Sequence, residues 1–160
     1  YLVHKAKELQ YHTKMINSGR YVNDSMGRYI GKKVVKKIIS QGKNILGAHV
    51  LVMGMTFKEN VSDIRNSKVA DIINEFKDFG AEVDVMDPFA SPLEVLQEYG
   101  IRLVERPGKK YDAVVVAVAH TTYLKLDESY FMSITNEHAV LADVKGVYRG
   151  SIHQMIYWSL

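Results

Sequence analysis

The fold of this chain is decided by residues 45–68, which read I-L-G-A-H-V-L-V-M-G-M-T-F-K-E-N-V-S-D-I-R-N-S-K. His49–Met55 is a mostly apolar run with a turn at Gly54, and such a run is typical of a buried strand. A charged loop follows, and the apolar spacing after it predicts a helix over Ser67–Phe79. This order is typical of the first unit of an α/β sheet. Because ligands of such sheets bind beyond the carboxyl ends of the strands, the polar residues of this loop are the first candidates for function.

The rest of the chain continues the alternation of strands and helices. The sequence predicts strands over Glu82–Met86, Ile101–Val104, Asp112–Ala119 and His138–Asp143, and helices over Ser91–Tyr99 and Glu128–Ser133. The apolar run of Asp112–Ala119 is what a central strand covered on both faces requires. Strands that alternate with helices through short loops favour an α/β fold with a doubly wound parallel sheet.

The first 40 residues are predicted to be helical. Apolar spacing predicts a short helix over Tyr1–Gln10 and a second helix over Val22–Ile39, with a break at 17–19 (N-S-G) between them. Gly27 and Gly31 lie four residues apart on the second helix, where they either weaken it or let another helix come close. The two alternatives are equally open. The apolar stripe of this helix must be buried, and a partner subunit is one plausible place.

Composition excludes several classes of function. The 160 residues are 47% apolar and 24% charged, which is an ordinary globular balance. A net charge of +3 allows a small anionic ligand but does not indicate nucleic acid. The absence of cysteine excludes a disulfide or a cysteine nucleophile within this chain. We predict no metal site, because the six histidines show no ligand spacing, and no membrane segment or signal peptide. The chain opens without methionine and is predicted to be a piece of a longer protein.

Two lysines and a phenylalanine are candidates for binding an anion with a flat ring. Lys58 can meet a phosphate or carboxylate as a point charge, and Phe57 can stack on a ring. Lys145 follows the last predicted strand and should face the same edge, so that two cations would clamp a diphosphate. The alternatives are a surface lysine at 58, a phenylalanine packed on the core, and a solvated turn at Lys145. Local sequence alone favours the alternatives for Phe57 and Lys58.

A second group of charged residues precedes the predicted helix at 67–79. Asp63 and Arg65 either form a local ion pair or leave Arg65 free to offer its fork to an anion. Asn66 or Ser67 is expected to cap the helix, whose N-terminus also favours anions. Together these features favour a role of this loop in binding an anion.

The first turn lacks the dinucleotide fingerprint. Gly54 stands alone where G-x-G-x-x-G is needed, so this sheet is not expected to bind the pyrophosphate of NAD in the usual way. Without the fingerprint, Asp87 is interpreted as a turn acid before Pro88. His120 follows the central strand at the ligand-binding edge, where a loop or capping histidine is the more common outcome.

Several stretches, in order along the chain, resemble the UDP-sugar dehydrogenases. The residues that carry the resemblance are G-M-T-F-K-E-N-V-S-D-I-R-N-S at 54–67, D-P at 87–88, A-V-A-H-T-T-Y at 117–123, A-D-V-K-G at 142–146, the final Y-W-S-L, and the opening segments at 1–9 and 16–26. They match the pattern G-x-x-F-K-x-x-x-x-D-x-R-x-S of that family. The closest likeness is to the branch that oxidises UDP-N-acetylmannosamine or UDP-N-acetylglucosamine.

The resemblance implies a domain organisation. Residues 1–40 would be the end of a central helical dimerisation region, and residues 41–160 a Rossmann-like domain that binds UDP. NAD would be bound mainly by an N-terminal domain absent from this chain. The family's catalytic cysteine would lie just upstream of Tyr1, so the fragment is expected to be inactive. The full-length protein would be a cytoplasmic homodimer that makes a uronic acid for a surface polysaccharide.

The resemblance also implies roles for single residues. Phe57, Lys58 and Lys145 match positions that contact the UDP-sugar, and Arg65 matches an arginine that reaches NAD across the cleft. Lys145 stands where many relatives have arginine, which keeps the charge but loses the fork. No catalytic residue is expected in this chain, and Arg20 receives no role. The alternative function is a non-catalytic Rossmann-like module that dimerises through its N-terminal helix.

Overall fold

The structure, a computed structural model, describes residues 14–160. They form a five-stranded, wholly parallel sheet with the strand order β2-β1-β3-β4-β5. The elements are α1 (Lys14–Ser40), β1 (His49–Met53), α2 (Val69–Asp78), β2 (Glu82–Met86), α3 (Pro92–Tyr99), β3 (Tyr111–Val116), a 3₁₀ turn (Tyr123–Lys125), α4 (Glu128–Ile134), β4 (Thr135–Asp143) and β5 (Ile156–Ser159). The predicted α/β, Rossmann-like fold with a parallel sheet is confirmed.

The sheet is covered on both faces, as doubly wound sheets require. Alternate residues of β1 point to opposite sides, so Val50 and Val52 join one core while Leu51 and Met53 join the other. The first core is closed by α1, α2 and α3. The second core is closed by aromatic side chains from the segments after β3 and β4, namely Tyr123, Phe131 and Tyr148.

Several strand bounds differ from the prediction for identifiable reasons. β1 ends at Met53 because Gly54, with φ at 95°, turns the chain out of the sheet. β4 begins at Thr135, three residues early, because a register irregularity around His138 (φ 54°) lets a polar stretch remain in the strand. The strand predicted over 101–104 is reduced to one bridge between Leu103 and Val85. The fifth strand, β5, was not predicted.

The N-terminal helix differs most from the prediction. The break at 17–19 is wrong, because α1 runs without interruption from Lys14 to Ser40. A glycine costs a helix about 1 kcal/mol but does not stop it where neither a cap nor a proline follows. The helix predicted over Tyr1–Gln10 lies outside the described residues. Within the described residues, no helix is both long and apolar enough to cross a membrane.

Gly27 and Gly31 let α1 come close to α2 of the same chain. A Cβ at Gly27 would lie 2.6 Å from Asp71 Cβ, and one at Gly31 would lie 2.8 Å from Glu75 Cβ. Of the two alternatives, the close helix approach is therefore confirmed. The C-terminal half of the apolar stripe is buried inside this chain rather than on a partner, and it comprises Ile30, Val34, Val35 and Ile38.

This contact predicts opposite effects of one substitution at two glycines of α1. Gly27→Ala drives a methyl group into Asp71 and the Lys68 carbonyl oxygen, 2.8 Å away, and should lower the free energy of unfolding by about 1–3 kcal/mol. Gly19→Ala meets nothing within 4 Å and should raise it by up to about 1 kcal/mol. Urea denaturation of both variants measures the difference. Equal stability of the two would contradict the helix contact.

Candidate functional site

The loops that follow β1, β3 and β4 converge at the carboxyl edge of the sheet. Together with α1 and the start of α2 they enclose a cleft of about 570 Å³, which we call the carboxyl-edge cleft. Its sheet side is formed by Thr56, Phe57, Ala117, Val118 and Val144, and its helix side includes Arg20, Asn23 and Gly27. A cleft at this edge is where an open α/β sheet binds its ligand.

Gly54 allows the first two of these loops to touch. A Cβ there would lie 2.5 Å from Val118 Cβ and 2.8 Å from Val118 N, so no other residue fits without moving the backbone. The positive φ of Gly54 also disfavours a side chain. The N–H groups of this turn are already occupied, because Gly54 donates to the Met86 carbonyl oxygen at 2.8 Å and Met55 and Thr56 donate to the Asp87 carboxylate. The turn after β1 therefore does not fit NAD in the usual way.

Asp87, at the end of β2, organises the loop after β1. Its Oδ2 accepts hydrogen bonds from the N–H of Met55 at 2.6 Å and of Thr56 at 3.1 Å. Its Oδ1 accepts from the N–H of Phe89 at 2.7 Å and of Ala90 at 2.9 Å. The carboxylate is fully buried. The interpretation of Asp87 as a turn acid is confirmed for residues 87–90, and the carboxylate also holds a second loop.

His120 joins the same network from the segment after β3. Its Nε2 lies 3.0 Å from Asp87 Oδ2 and 3.2 Å from Thr56 Oγ1, and its Nδ1 lies 3.0 Å from the N of Asn60. The side chain has no exposed surface. Burial disfavours ionisation of Asp87, but the hydrogen bonds from His120 and the backbone N–H groups outweigh it and hold the pKa of Asp87 well below its usual range.

Phe57, Lys58 and Lys145 are all exposed near this edge. Phe57 lines the cleft with 59% of its surface exposed, so it is not packed on the core. Lys145 Nζ lies 3.1 Å from Glu59 Oε1, which joins the loop after β4 to the loop that carries Phe57 and Lys58. A backbone hydrogen bond and the Lys145 ammonium together lower the pKa of Glu59, although partial burial opposes them.

The turn that carries Lys145 is fixed by a second buried carboxylate. Asp143 Oδ1 accepts from the N–H of Gly146 at 2.9 Å, and Oδ2 accepts from the N–H of Tyr148 at 2.7 Å. The hydroxyl of Tyr157 on β5 donates to the same Oδ2 at 2.8 Å. Burial and this hydrogen bond raise the pKa of Tyr157 to about 12. The missed strand β5 therefore helps to hold Lys145 at the edge.

Arg65 lies on the segment whose Asp63 carbonyl oxygen accepts from the N–H of Phe57 at 2.7 Å, but it lines a different cleft. Its Nε and one terminal nitrogen donate to the Asp63 carboxylate at 2.9 and 2.8 Å, so the predicted ion pair is confirmed. These hydrogen bonds lower the pKa of Asp63 to about 2. Arg65 is exposed and lines a separate cleft of about 440 Å³ between its own loop and α3. The N-cap of α2 is Lys68, which makes no side-chain capping hydrogen bond, so the predicted cap at Asn66 or Ser67 is wrong. Ser67 Oγ instead accepts from the N–H of Val69, two residues on, at 3.3 Å.

The role of His120 could not be predicted from the residues around it. One histidine after a strand is usually a surface residue, and only the fold brings it to Asp87 and Asn60. Thr56, the buried polar residue beside it, also has no sequence pattern that predicts its role. Among residues 14–160, no group of three or more histidines, aspartates or glutamates is arranged to hold a metal ion.

The fold and the cleft are those of a nucleotide-binding α/β domain. Residues 51–150 match the UDP-glucose/GDP-mannose dehydrogenase family, UDP binding domain. Because the match covers more than half of the chain, the protein belongs to this family, in which the domain is the C-terminal, UDP-binding part of UDP-sugar 6-dehydrogenases.

Two relatives are similar to this chain over most of its length. The UDP-N-acetyl-D-glucosamine 6-dehydrogenase of Pseudomonas aeruginosa is 40% identical over 146 residues, which are 91% of this chain and 35% of the relative. The UDP-N-acetyl-D-mannosamine dehydrogenase of Methanocaldococcus jannaschii is 28% identical over 149 residues, 92% of this chain and 32% of the relative. The chain thus spans about a third of the length of these relatives.

Solved structures agree with the fold. The native structure of the UDP-N-acetyl-mannosamine dehydrogenase Cap5O from Staphylococcus aureus superimposes with a TM-score of 0.71 and 28% identity, covering 92% of this chain and 33% of that one. The resemblance to UDP-sugar dehydrogenases, including those of N-acetylhexosamines, is confirmed.

The Asp87 network predicts how stability depends on pH. A carboxylate whose pKa is lowered by folding stabilises the native state above its unfolded pKa of about 4, and this contribution is lost as the pH falls toward the folded value. Asp87→Asn should cost about 2–3 kcal/mol near neutral pH. It should also make the free energy of unfolding fall less between about pH 7 and about pH 3 than it does in the unmodified chain.

Urea denaturation at the two pH values measures both effects. The matched control is Asp63→Asn, whose partner Arg65 is exposed and screened by solvent, and which should change stability little. If Asp87→Asn loses as much stability on acidification as the unmodified chain, the assignment of a buried, ionised carboxylate is wrong.

Proposed function

We propose that this chain is the UDP-recognising part of an NAD-dependent UDP-N-acetylhexosamine 6-dehydrogenase, and that it has no dehydrogenase activity alone. The observation that carries the proposal is the convergence of the loops after β1, β3 and β4 on one cleft, with Phe57 exposed in its wall. The names of the relatives support an N-acetylhexosamine as the sugar. The product of the full-length enzyme would be the corresponding uronic acid, for a surface polysaccharide.

In this proposal Phe57 stacks on a flat ring of the ligand, and Lys58 and Lys145 hold the diphosphate. Both lysines are exposed ammonium groups on neighbouring loops, and a diphosphate attracts such groups strongly. At present Lys145 is paired with Glu59, so the ligand would replace the Glu59 carboxylate at that ammonium. The lysine at 145 offers a point charge where an arginine would offer a fork.

NAD would supply the hydride acceptor and would be held mainly outside this chain, since the turn after β1 does not fit its pyrophosphate. Arg65 would contribute one contact from this side, after releasing Asp63. Its exposure and its place in the lining of a different cleft support a role toward a second ligand rather than toward UDP.

Residues 1–40 would be the end of a central helical region and residues 41–160 the UDP-binding domain of a cytoplasmic homodimer. The N-terminal half of α1 supports dimerisation, since its apolar side chains are exposed; they include Met15, Tyr21 and Val22. The same surface favours the alternative function, a non-catalytic module that only assembles. UDP discriminates the two, because a ligand that binds only the native state raises the melting temperature.

Single substitutions at the carboxyl edge should weaken UDP binding to this chain. Loss of a charge-assisted hydrogen bond costs about 1.5–3 kcal/mol, so Lys58→Ala and Lys145→Ala should each raise Kd by roughly tenfold or more. Phe57→Ala should also raise Kd, because stacking area is lost. Isothermal titration calorimetry with UDP measures each effect, and NAD should give no heat of binding.

The control is Lys36→Ala, an exposed lysine on α1 outside the cleft, which should leave Kd unchanged. In the full-length enzyme, Lys58→Ala should abolish most dehydrogenase activity. Unaltered affinity for the substrate in that variant would count against the proposal.

A further inference from the structure

We propose that His120 is a positioning residue for UDP recognition, holding the Phe57–Asn60 segment in place while its imidazole is neutral and releasing that segment when it is protonated. This inference rests on the proposed function. It begins from the geometry of one buried ring that contacts three separate parts of the carboxyl edge: Asp87, Thr56 and Asn60.

The hydrogen bonds define the tautomer of His120. The backbone N–H of Asn60 can only donate, so Nδ1 must accept and carries no proton. In the neutral ring the proton is therefore on Nε2, which donates to the carboxylate of Asp87. Thr56 Oγ1 donates its own proton to the carbonyl oxygen of Lys58 at 3.0 Å, so its oxygen can share the Nε2 proton.

These bonds fix both ends of the segment that carries the candidate ligand contacts. Thr56, immediately before Phe57, is held through its N–H to Asp87 and its hydroxyl to the Lys58 carbonyl. At the other end, Asn60 has φ at 58°, in the left-handed region that asparagine adopts more readily than most residues. Besides the bond to His120, its side chain exchanges two hydrogen bonds with Thr121 at 2.8 and 2.9 Å.

The ring itself is held between two aromatic side chains. Phe89 lies 4.9 Å from it and Tyr123 lies 5.5 Å from it, centroid to centroid. Since the imidazole has no exposed surface, it cannot turn to another partner without opening this packing. A proton on Nδ1 would therefore directly remove the hydrogen bond from the Asn60 N–H.

Charged groups facing His120 determine what protonation does. The carboxylates of Asp87 and Glu59 face the ring, and the backbone N–H of Asn60 points at its Nδ1. Tyr123, whose pKa is raised by burial, stays neutral beside it. Protonation would keep the bond to Asp87 but set a second N–H against that of Asn60. The bond between His120 and Asn60 must then break. Asn60 keeps only its two side-chain hydrogen bonds with Thr121, so that end of the loop with Phe57 and Lys58 is loosened.

Glutamine is the informative replacement at this position. Its amide offers one acceptor and one donor at about the spacing of the two ring nitrogens, and it does not titrate. His120→Gln should therefore keep the hydrogen bonds to Asp87 and Asn60 at every pH. His120→Ala removes both bonds and should raise Kd for UDP about tenfold or more at all pH values.

The test is the Kd for UDP at about pH 8 and about pH 5.5, which bracket the range in which histidines usually change charge. The unmodified chain should lose about tenfold more affinity on acidification than His120→Gln. The terminal phosphate of UDP, with a pKa near 6, titrates identically in both titrations and cancels in the ratio. Parallel pH profiles of Kd in the two chains would overturn the proposed release on protonation. Wild-type affinity in a folded His120→Ala would overturn the positioning role.

Nuclear magnetic resonance supplies a readout that does not need UDP. In the unmodified chain the Asn60 amide should be protected from exchange near pH 8 and lose more of that protection on acidification than the same amide in His120→Gln. An amide equally protected in both chains at both pH values would overturn the proposal even if UDP binds. If the unmodified chain shows this loss of protection but does not bind UDP, the proposed function fails, while the role of His120 in holding Asn60 is supported.

Discussion

The buried carboxylate of Asp87 is the contact on which the carboxyl edge depends. A turn such as Gly54–Thr56 leaves backbone N–H groups without strand partners, and buried N–H groups must be paired. Asp87 accepts from Met55 and Thr56 on one side and from Phe89 and Ala90 on the other, so one side chain ends β2 and shapes the loop after β1. Its charge is tolerated because each oxygen accepts two hydrogen bonds from backbone N–H groups.

The other loops are attached to this centre by polar contacts rather than by apolar area. His120 carries the connection from Asp87 to Asn60, and the pair of Lys145 and Glu59 carries it to the turn after β4. Asp143, at the end of β4, holds its own turn through backbone N–H groups in the same way as Asp87. A site whose loops are held by carboxylates has a loop geometry that is sensitive to proton uptake.

Sequence reasoning predicted the sheet because the signals were local. Residues 82–86 alternate and are bounded by Gly80 and Pro88, and the strand was predicted with correct bounds. The ion pair of Asp63 and Arg65 lies two residues apart and was also foreseen. What failed depends on tertiary contacts: β5 is a short edge strand, β4 contains an irregularity at His138, and His120 acquires its role only when β2 and β3 bring it to Asp87.

The most direct test of the account is an amide chemical-shift titration of this chain with UDP. The account predicts shifts concentrated at residues 54–60, 117–122 and 144–149, the loops that meet at the carboxyl-edge cleft. Shifts concentrated instead at the opposite edge, around Lys43, Asp112 and Asn136, or no shifts at all with saturating UDP, would contradict it.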